Sequence, residues 1–347
     1  MSPINTALLS FGMSGKVFHA PFLQIHPGFK LAGGWERSKQ VMGEFYPGIT
    51  SYPSLEALLA DDSVGLVVVN TPTSTHYEYA KRSLLAGKDI IVEKAFTTSV
   101  AEAEELKSIA QKVNKKISVF HNRRWDSDFK TVKKVISEGW LGDLVEAEIH
   151  FDRYKPELSP KPHKEIPSPG SGILKDLGSH IIDSAICLFG FPKAVFADIR
   201  ITRPDSAVDD WVDILLYYDK LRVRIKTGVY VRESLPGFIV HGTMGSFLKN
   251  RTDIQETELV AGKIPNTTDW GTEPVSEQGL LHTEKDGKII REKIQSLQGN
   301  YYDYYDGIYK SISENKPMPV TVEDGINVMR IIDAAIQSCN EKKVIPL

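Results

Sequence analysis

The chain has 347 residues, of which 41% are hydrophobic and 25% are charged, an ordinary composition for a globular protein. This length favours two domains of about 100–200 residues each. The formal net charge of −3 gives no electrostatic reason to expect a nucleic-acid partner. No run of about 18 apolar residues occurs, so the sequence predicts no membrane-spanning helix.

The first residues and the cysteines bear on the compartment. The N-terminal segment lacks the basic region and the long apolar region of a secretion signal. Cys187 and Cys339 are the only cysteines, and two isolated thiols form neither a disulfide framework nor a zinc site. We therefore expect a cytoplasmic protein with no membrane partner.

The first third of the chain alternates apolar runs with helix-like segments, which predicts a parallel sheet with helices on both faces. Thr75 with Glu78, and Ser99 with Glu102, have the spacing of capping boxes that open two of these helices. Ligands bind at the carboxyl ends of the strands in such sheets, so the residues after each strand are the candidates for binding. The predicted strands are residues 4–10, 30–35, 64–70, 89–92 and 117–120.

The segment after the first predicted strand has the spacing of the phosphate-binding motif G-x-G-x-x-G, with Ser10 in place of the first glycine. An ordinary glycine turn would contain the same residues. The context of the loop favours dinucleotide binding, because a strand precedes it, a helix follows it, and Glu36 lies 21 positions after Gly15. The pyrophosphate would then lie against the helix N-terminus, held by Gly12, Met13, Ser14 and Gly15.

The end of the second predicted strand bears on the choice of cofactor. Glu36 could accept hydrogen bonds from the adenosine ribose hydroxyls, which suits NAD. Arg37 and Ser38 could instead hold a 2′-phosphate, which suits NADP, and all three residues could equally form a solvated strand end. The prediction is NAD or NADP, with Glu36 favouring NAD.

Three further residues could carry proton-transfer chemistry. Lys94 follows a buried apolar strand, although a surface lysine paired with Glu93 would give the same pattern. Asp176 and His180 are four residues apart, so on a helix they share a face, and the carboxylate could orient the imidazole for acid–base catalysis. A helix cap at Asp176 and a satisfied buried His180 are the alternative. No third ligand is evident, so no metal is expected.

Together these motifs resemble the Gfo/Idh/MocA oxidoreductases over nearly the whole chain. Two positions depart from the family pattern: Ser10 replaces a glycine, and Ala95 replaces the proline that would fix φ beside Lys94. Three other segments look like the branch that contains scyllo-inositol dehydrogenases, namely residues 18–22, 122–126 and 150–154. The family motifs, in order, are residues 10–15, 70–72 with His76, 93–94, 170–180 and 242–246.

The resemblance implies hydride transfer between a nicotinamide and a secondary alcohol or ketone of an inositol-like polyol or a sugar. His180, supported by Asp176, would take the hydroxyl proton, and Lys94 would hydrogen-bond the reacting oxygen, although these two roles could be exchanged. The remaining cofactor-binding residues of this interpretation are Asn70, Thr71, Pro72, His76, Glu93, Lys94 and Asn122. The candidate substrate contacts, each near the end of a strand that faces the expected cleft, are Arg123, Trp125, Arg153 and Tyr154.

From about residue 123 the pattern changes to consecutive strands. This favours an α/β chain with a Rossmann domain, the doubly wound parallel sheet, over 1–122, and an α+β domain with an open, mostly antiparallel sheet over 123–347. Residues 251–300 are polar and turn-rich, which favours an irregular surface excursion over a lid or subunit arm. The final helix, 322–339, could pack back on the first domain. The resemblance implies a homodimer or homotetramer through the second sheet.

Two other functions are compatible with these residues. A non-catalytic nicotinamide sensor would bind the cofactor without turnover. A reductase of a non-sugar carbonyl, of the dihydrodiol or biliverdin type, would have a more apolar pocket than the arginine- and histidine-rich one predicted here.

Overall fold

The computed structural model describes residues 2–37 and 40–347, and the chain divides into two compact units. The first comprises Met1–Asn122, Gln255–Trp270 and Asn300–Ile326, and the second comprises Arg123–Ile254, Gly271–Gly299 and Asn327–Leu347. The expected bounds of 1–122 and 123–347, which treat each domain as one continuous stretch, stay a prediction.

The first unit contains a six-stranded sheet in the order β3-β2-β1-β4-β5-β6, with every neighbouring pair parallel. This is the doubly wound strand order, in which β1 and β4 lie at the centre, and it confirms the predicted Rossmann sheet. Residues 66–69 are fully buried, as expected for a strand covered by helices on both faces. The strands are β1 Ile4–Leu8, β2 Phe29–Trp35, β3 Thr50–Tyr52, β4 Leu66–Val69, β5 Asp89–Val92 and β6 Ile117–Val119.

The starts of two helices test the predicted capping boxes. Ser99 Oγ accepts a hydrogen bond from the backbone N–H of Glu102 at 3.3 Å, so the predicted cap at Ser99 is confirmed. The cap at Thr75 is wrong, because its hydroxyl donates to Pro72 O at 2.8 Å within a short 3₁₀ turn. The α-helices of this unit are Ala20–Ile25, Met42–Phe45, Leu55–Leu59, His76–Leu85, Val100–Lys112, Gln255–Val260 and Tyr302–Glu314.

The helix that follows the nucleotide loop begins with a π-turn, Gly15–His19. Pro21, two residues further on, has no N–H to donate to the preceding turn. The wider turn accommodates this, because the N–H of Ala20 bonds to Gly15 O instead. The chain therefore remains helical through Pro21.

The second unit contains a nine-stranded sheet in the order β14-β13-β12-β11-β7-β10-β9-β8-β15. Only β7 and β10 are parallel among its paired strands, which confirms the predicted mostly antiparallel sheet. The strands are β7 Leu144–His150, β8 Ala194–Arg200, β9 Trp211–Tyr217, β10 Arg222–Gly228, β11 Phe238–Gly242, β12 Gly245–Lys249, β13 Gly279–Lys285, β14 Lys288–Ile294 and β15 Ile345–Pro346.

The expectation of an irregular excursion over 251–300 is wrong. The segment contains the helix Gln255–Val260 and a hairpin formed by β13 and β14. Asp286 and Gly287 connect these strands with φ of 50° and 71°, the backbone of a type I′ turn. The hairpin therefore extends the second sheet at one edge.

The helices of the second unit include Ser127–Ser137, Pro162–Glu165 and Ser179–Phe189, and the helix Val322–Glu341 runs from the first unit into the second. Among the residues that the structure describes, no helix is both long enough and apolar enough to cross a membrane.

Candidate functional site

The loop after β1 is shaped by close backbone approach. A Cβ atom at Gly15 would lie 2.4 Å from Ser10 O and 2.8 Å from Asn70 Nδ2, so only glycine fits there. Ser10 forms the turn that a glycine usually forms, because its Oγ accepts from the N–H of Gly12 at 3.2 Å. The substitution at Ser10 therefore leaves the turn closed by a side-chain hydrogen bond.

The same loop offers groups that suit a dinucleotide. Asn70, at the end of β4, donates from Nδ2 to Ser10 O at 2.8 Å. Its Oδ1 is buried and has no hydrogen-bond partner among the described residues. A Cβ at Gly12 would come no closer than 3.5 Å to another atom, which leaves the loop backbone open to a phosphate. These features fit the cofactor expected at the carboxyl edge of the sheet.

The residues after β2, which bear on the choice of cofactor, differ in their contacts and their exposure. Glu36 accepts from the backbone N–H groups of Val41 and Met42, at 3.2 and 3.0 Å, so both carboxylate oxygens cap the following turn. Arg37 is exposed. Ser38 lies outside the described residues.

His76 connects two of the predicted cofactor segments. Its Nε2 lies 2.8 Å from Thr71 O, and its Nδ1 lies 2.9 Å from Ala95 O. The ring is fully buried, and this burial lowers the pKa of His76. The predicted cofactor residues Thr71 and His76 and the segment after Lys94 are thus joined through one imidazole.

Glu93 forms a second connection, which begins at the nucleotide loop. Its Oε1 accepts from Ser14 Oγ and lies 3.1 Å from His19 Nε2, and its Oε2 accepts from the N–H of Lys94 at 3.2 Å. Burial alone would raise the pKa of Glu93, but His19, Ser14 and Lys94 together lower it to about 2. The carboxylate is therefore charged although only 9% of the residue is exposed.

Lys94 and Asn122 complete the predicted residues of this unit. Lys94 is half-buried directly after β5, and the peptide bond between Lys94 and Ala95 is cis. Asn122 is buried after β6. Met13 is 46% exposed at the start of the loop helix, and Pro72 begins the turn before His76. β1, β4, β5 and β6 run parallel, so the segments that follow them lie at one edge of the sheet.

In the second unit, Asp209 fixes the start of the helix that carries Asp176 and His180. Its Oδ2 accepts from the N–H of Leu174 at 2.7 Å. Gly172 has a φ of +93°, and a Cβ there would lie 1.9 Å from Asp209 Oδ1, so the approach to the helix requires glycine. The helix begins with a π-turn, Leu174–Gly178, and continues as Ser179–Phe189.

Asp176 and His180 lie on this helix in different surroundings. Asp176 Oδ2 forms an ion pair with Lys164 Nζ at 2.6 Å, with both side chains partly exposed. His180 is 7% exposed, and its ring centroid lies 6.4 Å from that of Phe151. The orientation of His180 by Asp176 stays a prediction.

Phe151 is the centre of a cluster of guanidinium groups. The Cζ atoms of Arg251, Arg153 and Arg123 lie 4.5, 5.2 and 5.7 Å from its ring centroid. The structure thus brings two predicted substrate contacts, Arg123 and Arg153, close to the ring that neighbours His180. We call Phe151 with these three arginines and His180 the Phe151 cluster.

Buried carboxylates balance part of this charge. Asp126 Oδ2 lies 3.5 Å from Arg123 and 4.0 Å from Arg251, and Asp128 Oδ1 lies 3.9 Å from Arg251. Both aspartates are fully buried. The Phe151 cluster is therefore rich in hydrogen-bond donors without being a strongly cationic pocket.

The other two predicted substrate contacts lie outside the Phe151 cluster as defined. Tyr154 is 47% exposed, and the guanidinium of Arg232 lies 3.8 Å from its ring centroid. Trp125 ends the short 3₁₀ turn Asn122–Trp125 and is half-buried.

Sequence reasoning did not assign a site role to His19, Tyr305 or Arg251. His19 lies in the segment 18–22 that already indicated the family branch, so a signal for it existed. Tyr305 and Arg251 come from distant parts of the chain. Only the fold brings Tyr305 to His19 and Arg251 to Phe151. Among the described residues, no group of three or more His, Cys, Asp or Glu could hold a metal ion.

Two family models match this chain. Residues 4–121 match the model of the oxidoreductase family's NAD-binding Rossmann fold, and residues 133–347 match the model of its C-terminal alpha/beta domain. A scyllo-inositol 2-dehydrogenase (NADP(+)), IolW of Bacillus subtilis, is 38% identical over 99% of this chain and 96% of its own length.

Two solved structures are similar over nearly their full length. The oxidoreductase yvaA from Bacillus subtilis superposes with a TM-score of 0.95 at 37% identity, covering 99% of this chain and 98% of that one. An oxidoreductase from Bacteroides fragilis superposes with a TM-score of 0.91 at 43% identity, covering 99% and 100%. The chain therefore belongs to the Gfo/Idh/MocA family of oxidoreductases, with an NAD-binding Rossmann domain.

Proposed function

We propose that this oxidoreductase transfers a hydride between NADP and a secondary alcohol of a neutral polyol of the inositol kind. The Phe151 cluster supports this proposal most directly. A cyclic polyol has an apolar C–H face that suits an aromatic ring, and it has many hydroxyl oxygens that suit guanidinium donors. Asp126 and Asp128 offset part of the guanidinium charge, which favours a neutral ligand over an anion.

Residues of the first unit would hold the cofactor. Gly12 suits the pyrophosphate end, because the loop backbone is open there, and Gly15 allows the helix to start close to it. Asn70 Oδ1, a buried acceptor without a partner among the described residues, suits a hydroxyl or amide donor of the cofactor. When bound, the nicotinamide supplies the hydride acceptor for alcohol oxidation. The sequence favours NAD through Glu36, but both oxygens of Glu36 are bound to a backbone turn, and the exposed Arg37 beside it supports NADP instead. IolW, whose name specifies NADP(+), points the same way.

His180 and Lys94 would carry the proton chemistry. His180 would take the hydroxyl proton as the carbon is oxidised, since an imidazole exchanges protons near neutral pH. Lys94 would donate a hydrogen bond to the reacting oxygen and stabilise the negative charge that develops on it. Asp176 would support His180. Arg123 and Arg153 would orient the remaining hydroxyls of the substrate.

Single-turnover oxidation of scyllo-inositol by enzyme saturated with NADP tests these roles. We expect Lys94→Ala and His180→Ala to slow the reduction of the cofactor by about 10²–10⁴-fold, the usual contribution of a positioned acid or base. Lys30→Ala and His282→Ala change exposed side chains and serve as matched controls that keep the wild-type rate. Near wild-type rates in both site variants, with NADPH still bound, would refute the assignment. A wild-type chain that binds NADPH but turns over no polyol would indicate a sensor.

A further inference from the structure

His19 is a buried histidine that the proposed mechanism does not use. It is fully buried in the helix after the nucleotide loop, and its ring centroid lies 4.4 Å from that of Phe120. Its two nitrogens meet different partners: Nε2 lies 3.1 Å from Glu93 Oε1, and Nδ1 lies 2.9 Å from Tyr305 Oη. A buried polar ring with both nitrogens engaged connects the Glu93 carboxylate to a tyrosine far away in the sequence.

The partners determine which way the protons point. Tyr305 Oη also lies 2.5 Å from Phe18 O, and a carbonyl oxygen can only accept a hydrogen bond. The hydroxyl therefore donates to Phe18 and accepts from His19 Nδ1. A carboxylate likewise accepts at Glu93 Oε1, so the geometry calls for donation from both ring nitrogens of His19, which is the hydrogen-bond pattern of an imidazolium.

This charge matters because of where Glu93 lies. Glu93 binds Ser14 Oγ in the nucleotide loop and the main-chain N–H of Lys94. A buried carboxylate without a counter-charge would oppose an anionic pyrophosphate at that loop, and a buried charge that loses its partner is strongly destabilising. An imidazolium at His19 offsets the negative charge and fixes the carboxylate in its orientation.

We propose that His19, held by Tyr305, is a positioning residue that offsets the negative charge of the Glu93 carboxylate and keeps it bound to both Ser14 and Lys94. It would thereby hold the nucleotide loop and the catalytic lysine in fixed positions relative to each other. The part that concerns Lys94 rests on the proposed function. The part that concerns cofactor affinity depends only on binding of the nucleotide by the Rossmann unit.

Two substitutions separate the two bonds of His19. The amide nitrogen of His19→Asn lies near the former Nδ1, so it can reach Tyr305 but not Glu93. The longer His19→Gln can bring its amide nitrogen near the former Nε2 and donate to Glu93. We expect His19→Asn to raise the Kd for NADPH about tenfold or more, and His19→Gln to raise it only about threefold, because a hydrogen bond to a charged group is worth more than one to a neutral group.

The measurements are NADPH fluorescence titration and steady-state oxidation of scyllo-inositol. We expect His19→Asn to lower kcat by a larger factor than it raises KM for scyllo-inositol, because Lys94 loses its position. Equal effects of the two substitutions on Kd, or no effect of either, would overturn it. His26→Asn is a matched control, since His26 is another buried histidine of the same unit whose Nδ1 instead accepts from the N–H of Gly28. It should leave the Kd unchanged.

Two further variants keep the test decisive if His19→Asn folds poorly, as followed by thermal melting. In the double variant with Glu93→Gln, position 93 is uncharged, so most of the NADPH affinity should return, and a failure to recover would contradict the charge argument. Tyr305→Phe should weaken NADPH binding in the same direction by a smaller factor. Failure of the proposed function would show differently, as wild-type protein that binds NADPH without oxidising any polyol.

Discussion

At the scale of single residues, the candidate site depends on a close backbone contact in the nucleotide loop and on one carboxylate that binds two segments of the chain. Gly15 lies against Ser10 O and Asn70, and Glu93 joins Ser14 to Lys94. The motif spacing predicted the first of these contacts, because phosphate loops need a small residue where helix and strand pack closely. It did not predict the connection through Glu93 to His19, because this depends on the three-dimensional position of Tyr305, 286 residues from His19.

Arg37 allows a test of the choice between NADP and NAD. A guanidinium can bind a 2′-phosphate through charge-assisted hydrogen bonds, while NAD offers only a hydroxyl at that position. We expect Arg37→Ala to lower kcat/KM for NADP about 10- to 100-fold and to leave kcat/KM for NAD nearly unchanged. Initial-rate measurements with both cofactors check this, and Arg291→Ala, an exposed arginine on β14, is the control. Equal losses with NAD and NADP would show that Arg37 does not read the 2′-phosphate.

At the scale of elements, apolar runs predicted the parallel strands because those strands are buried on both faces. β3, with only one buried residue in three, gave no such run. The hairpin of β13 and β14 was missed for a related reason, since β14 has no buried residue and thus no alternation. Asp286-Gly287 was the available signal, because this pair favours the tight turn that connects two antiparallel strands.

The helix that carries His180 offers a test of how its start is fixed. Gly172→Ala would place a methyl group on Asp209 and strain a backbone with φ of +93°. We expect it to lower the free energy of unfolding by at least about 2 kcal/mol, since both overpacking and strain contribute. Gly190→Ala, at the other end of this helix, has φ of +80° and ψ of −171°, a region that essentially only glycine adopts, with no atom within 4 Å of its Cβ. It should cost about 1–3 kcal/mol from strain alone, less than Gly172→Ala, which adds the overlap with Asp209.

Urea unfolding followed by circular dichroism measures both variants. Equal losses at the two glycines would show that Asp209 adapts to the added methyl group. It would also show that the cap formed by Asp209 on Leu174 does not fix the start of this helix.

At the scale of the whole molecule, each compact unit is assembled from separate stretches of sequence. The first unit recruits Gln255–Trp270 and Asn300–Ile326, and the second of these segments supplies Tyr305. Sequence patterns find the sheet and its loops because these are local. They do not find which later helix returns to the sheet, because that choice is made by packing among residues such as Phe22 and Tyr305, whose rings stack at 5.3 Å.

A hydride that passes from a polyol carbon to NADP carries its isotope label into the reduced cofactor. The wild-type chain is incubated with NADP and scyllo-inositol deuterated at its ring carbons, and the reduced cofactor is analysed by mass spectrometry. We expect NADPH that carries one deuterium, formed together with an oxidised inositol. Reduced cofactor without deuterium, or no reduction with any polyol while NADPH still binds, would contradict it.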